Sequence, residues 1–459
     1  MAPWQGVRDA TEHGPISVQA PSRLGNVMGG FARPVSEDCL TLTISTPAAD
    51  NQSRPVLVFF HGGAFVSGAG SLDWYDGTTL AGAGDVVVVT VNYRLGLYGF
   101  LCQPGISDGN LGLYDIIAAL QWVKENIGAL GGNPESITVM GQSAGAHMIM
   151  CLLTMPEARR LFKRAIIESA PAGLPPLTTE AATEIGGRLL GLLDLAGEMA
   201  NPETLRKIPY TKILESTGLL MRSTARFGQI TPPFMPVCDE LSSVEAFIGQ
   251  AGAGAGAEGI DIVIGTTREE FNAFFAADTT MQNPDAAIIE QYFARLTGKA
   301  DAIELYRQYR PGGKTVELLG DVATDYTFAF PSLQLAERAA EAGAQVWVYQ
   351  FDWSPPGSPF KACHCIELPF VFGNSNQWAD APMLKAGDPE IIAALASAIG
   401  AAWLNFISAG KPAADNRWPQ YNRCDRQTMR FDAVSGPVGD LAGVRWRGHF
   451  NLDGSIKLT

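Results

Sequence analysis

Short runs of β-branched and apolar residues alternate with longer amphipathic stretches along most of the chain. Residues 40–45, 55–60, 85–91, 137–140, 260–265 and 346–352 have the length and composition of strands. Val86-Val87-Val88-Val89 is apolar at every position, so that strand is predicted to be covered on both faces. Residues 113–130, 144–155, 178–195, 286–297, 315–342 and 388–408 read as helices. This alternation predicts an α/β protein: a mostly parallel central sheet with helices on both faces. Residues 178–247 are helix-rich without a clear strand, and are expected to form an insertion above the sheet, where a lid or pocket wall sits. No fixed-period repeat is visible, so one domain is expected over residues 1–459. The Ala/Gly alternation of residues 251–259 is expected to be a flexible surface loop. Its Gly254, Gly256 and Gly259 match G-x-G-x-x-G, but they precede a strand, whereas a dinucleotide site needs them after one. No cofactor is expected. Ser354-Pro355-Pro356-Gly357 is a second break in the pattern.

One junction carries chemistry. Ile137-Thr138-Val139-Met140 runs into Gly141-Gln142-Ser143-Ala144-Gly145 and then into the apolar segment from Ala146 to Met150. A G-x-S-x-G between a strand and a helix puts the serine on a sharp turn, where small neighbours avoid clashes and the helix N-terminus faces developing negative charge. Ser143 is therefore the candidate nucleophile. The alternative is a small-residue helix start packed on the sheet. A second turn, His61-Gly62-Gly63-Ala64-Phe65, follows the strand of residues 55–60. Its backbone N–H groups at Gly63 and Ala64, with that of Ala144, are the candidate oxyanion hole.

These motifs resemble the type-B carboxylesterase family of α/β-hydrolases, which includes bacterial p-nitrobenzyl esterases and animal cholinesterases. The resemblance also rests on Ser36-Glu37-Asp38-Cys39-Leu40, Val91-Asn92-Tyr93-Arg94, Gly109-Asn110-Leu111-Gly112-Leu113-Tyr114-Asp115 and Gly131-Gly132-Asn133-Pro134. Glu367-Leu368-Pro369-Phe370-Val371-Phe372-Gly373 and Trp418-Pro419-Gln420-Tyr421 extend it over most of the chain. It implies the α/β-hydrolase fold and a Ser143–Glu270–His364 triad without cofactor or metal. His364 would act as general base and acid, oriented by Glu270. Glu269 replaces the family's usual Asp and is a neighbouring alternative acid; Phe271 replaces its usual Gly and is expected to alter the turn. Ser169 and Gln142 are assigned supporting places near the triad. The segment around Pro3–Thr11 matches only where the family's N-terminal β-hairpin ends, so that hairpin is expected to be missing. No cysteine precedes Cys39, so a disulfide that secreted relatives form there has no partner.

Composition narrows the setting. Lys and Arg number 33 against 47 Asp and Glu, a net charge of −14 that disfavours nucleic acid and anionic membranes as partners. No apolar run is judged long enough to span a membrane. Seven scattered cysteines suggest free, mostly buried thiols and a cytoplasmic location, and the resemblance implies a bacterial enzyme. Of five histidines, His61 is read as a brace for the oxyanion turn, His147 as a satisfied core residue, and His13 and His449 as loop residues. Cys363-His364-Cys365 lacks a second ligand pair, so metal is not expected. The expected activity is hydrolysis of small to medium uncharged carboxylic esters, with the small-molecule ester as partner and the oligomeric state open. The rivals are a non-catalytic recognition module of the same fold, and an esterase impaired by N-terminal truncation.

Overall fold

The computed structural model describes residues 6, 9–195, 197 and 200–443, so His449 and most of the segment around Pro3–Thr11 lie outside the described residues. Among them, nine strands form one sheet. In chain order these are β1 (Leu42–Ser45), β2 (Arg54–Phe60), β3 (Val87–Val91), β4 (Gly132–Gln142), β5 (Arg164–Glu168), β6 (Asp261–Thr267), β7 (Val346–Phe351), β8 (Gln427–Phe431) and β9 (Gly436–Gly439). They lie side by side in the order β9-β8-β7-β6-β5-β4-β2-β3-β1. Pairing is parallel except at the two margins, where β1 runs against β3 and β9 against β8.

The alternation of side chains across a strand builds two cores from one sheet. Val56, Val58 and Phe60 share one core with Val87, Val89 and Val91. Leu57 and Phe59 share the other with Val86 and Val88. The four-valine run is thus buried on both faces, as its sequence predicts. Each such side chain contributes about 1.5–3 kcal/mol when fully buried. Strands β5, β8 and β9 are not predicted by the pattern. In β5, Arg-Ala-Ile-Ile-Glu, only three apolar residues stand between two charged ones; its position between β4 and β6 makes it a strand.

The longer helices are α1 (Leu111–Asn126), α2 (Ala144–Thr154), α3 (Thr179–Leu192), α4 (Tyr210–Thr224), α5 (Val244–Ala257), α6 (Ala286–Thr297), α7 (Thr315–Thr324), α8 (Phe330–Glu341) and α9 (Pro389–Ala409). A π-helical turn at Asp325–Ala329 joins α7 to α8, which makes the helix read over 315–342 continuous. Helices α3 and α4 fill the predicted insertion.

Two expectations are corrected. Residues 251–259 are not a flexible loop, because most of them are the second half of α5. Their small side chains let α5 approach its neighbours: a Cβ on Gly254 would lie 1.9 Å from the Leu153 carbonyl oxygen, and one on Gly256 2.3 Å from Ala342 Cβ and its carbonyl oxygen. Helix α9, in turn, is long and apolar enough to cross a membrane, with 21 residues and a mean hydropathy of 1.8. Its buried residues Leu395, Ile399, Ala402, Trp403, Phe406 and Ile407 form one stripe at helical spacing, the pattern of a helix laid on a core. The stripe is masked in sequence because several of the outward positions are Ala.

Candidate active site

Strand β4 ends at Gln142 and α2 begins at Ala144, which leaves Ser143 alone on the turn. Its φ of 56° and ψ of −118° are strained for an L-residue. The Ser143 N–H donates to the Glu168 carbonyl at the end of β5, at 2.9 Å. The flanking glycines are sterically required. A Cβ on Gly145 would lie 2.0 Å from the Phe60 carbonyl oxygen, and one on Gly141 2.5 Å from the Gly145 carbonyl carbon.

The turn after β2 approaches this elbow. Gly63, Ala64 and Phe65 have successive φ values of 113°, 54° and 60°. A Cβ on Gly63 would meet the Ser67 carbonyl oxygen at 1.9 Å, so only glycine fits. His61 braces the turn: Nδ1 lies 2.7 Å from the Gly62 carbonyl oxygen, and the ring stacks on Tyr93 at 4.3 Å. Burial lowers its pKa to about 4, so it is neutral at pH 7. The N–H groups of Gly63, Ala64 and Ala144 donate to no protein acceptor among the described residues. All three residues line a cavity of about 160 Å³ together with Ser143 and His364.

Glu270 lies just beyond β6, buried, with Oε2 2.5 Å from His364 Nδ1. Its Oε1 accepts from the Thr267 N–H at 2.8 Å, and its carbonyl oxygen from the His364 N–H at 3.3 Å. Glu269 turns away, to Arg310 at 3.2 Å. The structure thus brings Glu270, and not Glu269, to the histidine. No hydrogen bond joins His364 to Ser143 Oγ; such contacts commonly tighten only when substrate binds. Gln142 Nε2 is 3.4 Å from His364 Nε2.

Phe271 does not disturb the turn. It adopts right-handed backbone with φ −71°, so glycine is not required there. Its buried ring packs against Phe274 and Phe328, whose centroids lie 5.6 Å and 5.1 Å from the His364 ring. The residue after Glu270 therefore anchors an aromatic wall around His364.

Two further buried carboxyl groups near Glu270 were not singled out by sequence reasoning. Glu367 receives the Ser169 hydroxyl at 3.4 Å, and Glu168 receives Trp403 Nε1 at 2.8 Å. Burial raises the Glu168 pKa to about 8. Burial, and then the nearby Glu270 and Glu168, push that of Glu367 well above the carboxylate range. The signal available was a glutamate closing the otherwise apolar Ala165–Ile167 run. His147 is buried, with Nε2 2.8 Å from the Leu174 carbonyl oxygen, in keeping with a satisfied core residue. His13 lies far from the site in sequence, on Thr43 at the exposed margin. Cys363 and Cys365 are buried beside His364.

Comparison with known proteins gives the lineage of this geometry. The carboxylesterase family model matches residues 1–439. A probable N-octanoylanthranilate hydrolase of Rhodococcus erythropolis is 39% identical over 426 residues, 91% of this chain and 86% of that protein. A para-nitrobenzyl esterase of Bacillus subtilis is 36% identical over 442 residues, 94% of this chain and 86% of its own. The crystal structure of a Geobacillus stearothermophilus carboxylesterase superposes with a TM-score of 0.83 at 35% identity, covering 96% of this chain and 89% of that one. The chain has the α/β-hydrolase fold, belongs to the carboxylesterase family and is a carboxylic-ester hydrolase.

Proposed function

We propose that Ser143, His364 and Glu270 carry out the hydrolysis, with Gly63, Ala64 and Ala144 as the oxyanion hole. The observation that carries this reading is the 2.5 Å contact between Glu270 and His364 in the wall of the cavity that Ser143 and three unused N–H donors also line. His364 Nε2 takes the Ser143 hydroxyl proton as Oγ bonds to the ester carbonyl carbon. The carbonyl oxygen gains the negative charge and receives the three N–H groups. The tetrahedral adduct collapses, its C–O bond to the alcohol breaks, and the alcohol leaves with the proton held by His364. Water then repeats both steps on the acyl-enzyme and regenerates Ser143. Glu270 holds the imidazole by Nδ1–H and stabilises its cation. Phe274 and Phe328 keep water from the ring faces, Ser169 and Gln142 support the triad from beneath and beside it, and neither cofactor nor metal takes part.

The substrate is a small-molecule ester. Apolar residues from the insertion, including Ile213, Leu214 and Met221 of α4, line the cavity and suit small to medium acyl or alcohol groups. The names of the relatives point to substrates as different as N-octanoylanthranilate and para-nitrobenzyl esters, so lineage selects no single one. We further propose that the chain is one hydrolase domain with its helical insertion over residues 178–247, acting in the cytoplasm on neither nucleic acid nor membrane.

Ser143→Ala should lower p-nitrophenyl butyrate turnover by ~10⁴–10⁶-fold in kcat. A fluorophosphonate should label wild-type protein at Ser143 and leave the variant unlabelled. Retained turnover, or labelling only at another residue, overturns the assignment.

A further inference from the structure

The walls of the active-site cavity are apolar, and no Asp, Glu or Lys lines it among the described residues. One cation stands at its rim. Arg23 Nη2 donates to the Ile230 carbonyl at 2.8 Å, and its Cζ lies 5.5 Å from the centre of the Phe274 ring. Phe274 is the ring that flanks His364 at 5.6 Å. A single aromatic ring therefore separates the guanidinium from the imidazole. No carboxylate partners Arg23 among the described residues.

The surroundings sharpen this. In a chain with 14 more acidic than basic groups, most arginines among the described residues find a carboxylate, as Arg54 does with two aspartates. The loop that Arg23 clasps also carries Arg226, and it receives Arg295 at the Phe227 carbonyl, 3.1 Å. Neither arginine has an ion pair among the described residues. Glu37 acts on Tyr98, another residue of the cavity wall, and Glu270 on His364, but neither carboxylate itself lines the cavity. An unpaired guanidinium over an aromatic face keeps its remaining donors for a planar anion.

We propose that Arg23 determines specificity: the site prefers esters whose reacting end is uncharged and whose far end, about one aromatic ring away, carries a carboxylate. The inference rests on the Ser143–His364 reading and replaces the expectation of wholly uncharged esters with esters charged at the far end. The scissile carbonyl sits at Ser143 among apolar walls. The carboxylate meets the guanidinium at the rim, where the side chain is exposed yet held in place by the Ile230 carbonyl and the Phe274 face.

The test uses 4-butyryloxybenzoate and its methyl ester, which release the same acyl group and differ in charge at the far end. The readout is the ratio of their kcat/KM values. Arg23→Gln should lower the anionic-to-neutral ratio about fourfold, and Arg23→Lys should restore part of it. A ratio that stays within about twofold of wild type in Arg23→Gln overturns the proposal while leaving the esterase reading intact. Wild-type protein that hydrolyses neither ester overturns both. Should Arg23→Gln fail to fold, the wild-type protein gives the same answer by inhibition. There 4-hydroxybenzoate should inhibit more strongly than methyl 4-hydroxybenzoate, with the difference shrinking as salt rises. Equal inhibition by the two overturns the proposal.

Discussion

The active site is built in two halves by different means. The half around Ser143 and Gly63 is backbone: positive φ angles, free N–H groups, and glycines that cannot carry a Cβ without meeting a carbonyl. The half around His364 is side chain: a carboxylate, an imidazole, three phenylalanine rings and two buried carboxyl groups nearby. Backbone tolerates no substitution where a close approach is already complete. Side chains leave more room for change: Phe271, at a φ of −71°, keeps an ordinary backbone and adds its ring to the wall.

The largest effect that would break this contrast is expected in the side-chain half. Glu270→Gln should lower kcat by ~10⁴-fold, because the amide no longer fixes the tautomer or stabilises the imidazolium. Glu269→Gln should stay within about tenfold of wild type, since that carboxylate serves Arg310. Steady-state kinetics on a neutral ester would separate the two, and equal losses would mean that the acids share the role.

Next comes the backbone half. Gly63→Ala adds a Cβ at 1.9 Å from the Ser67 carbonyl oxygen, at a φ of 113°. The turn must move and its donors with it, so kcat should fall by ~10²–10³-fold, the usual worth of one oxyanion donor. Near-normal kcat in that variant would show that the turn is soft.

Phe271→Ala should act on stability before chemistry. Removing a buried ring from the Phe271–Phe275–Phe328 cluster is expected to cost about 3–5 kcal/mol. Chemical denaturation measures this, and a cost below ~1 kcal/mol would show that the aromatic wall collapses to fill the space.

The smallest effect is a pH slope. Glu168 keeps its proton in the fold up to about pH 8, whereas the unfolded chain releases it near 4.5. The folded state binds more protons across that window, so this group's contribution to stability falls as pH rises from 4.5 to 8. Glu168→Gln has no proton to lose. Its melting temperature relative to wild type should rise between pH 5 and pH 8 and then level off. A constant difference would mean that Glu168 is already ionised in the fold.

The two halves were also unequally legible in the sequence. Ser143, Gly63 and Ala144 stand out because a glycine-flanked serine between strand and helix has few structural uses, and the steric demand is local. The strands 55–60 and 85–91 were legible for a similar reason, as a parallel strand buried on both faces must be apolar at every position. Strand β5 was not, because its three apolar residues become a central strand only between β4 and β6. The Ala/Gly run of 251–259 misled for the opposite reason. Small residues read as looseness along the chain, but in the fold they allow α5 its closest packing.

The sequence by itself determined the fold class and the strand-to-helix turn at Ser143, because these depend on local sterics and on apolar pattern, whereas the order Ser143, Glu270, His364 is what the family resemblance implies. Only the tertiary structure decided which of two adjacent glutamates faces the histidine, since that turns on where Arg310 and His364 lie. It alone put Glu168 and Glu367 near Glu270 and Phe271 against Phe328. It also left Arg23 without a carboxylate partner among the described residues, because charge pairing depends on which distant side chains the fold brings within a few ångströms.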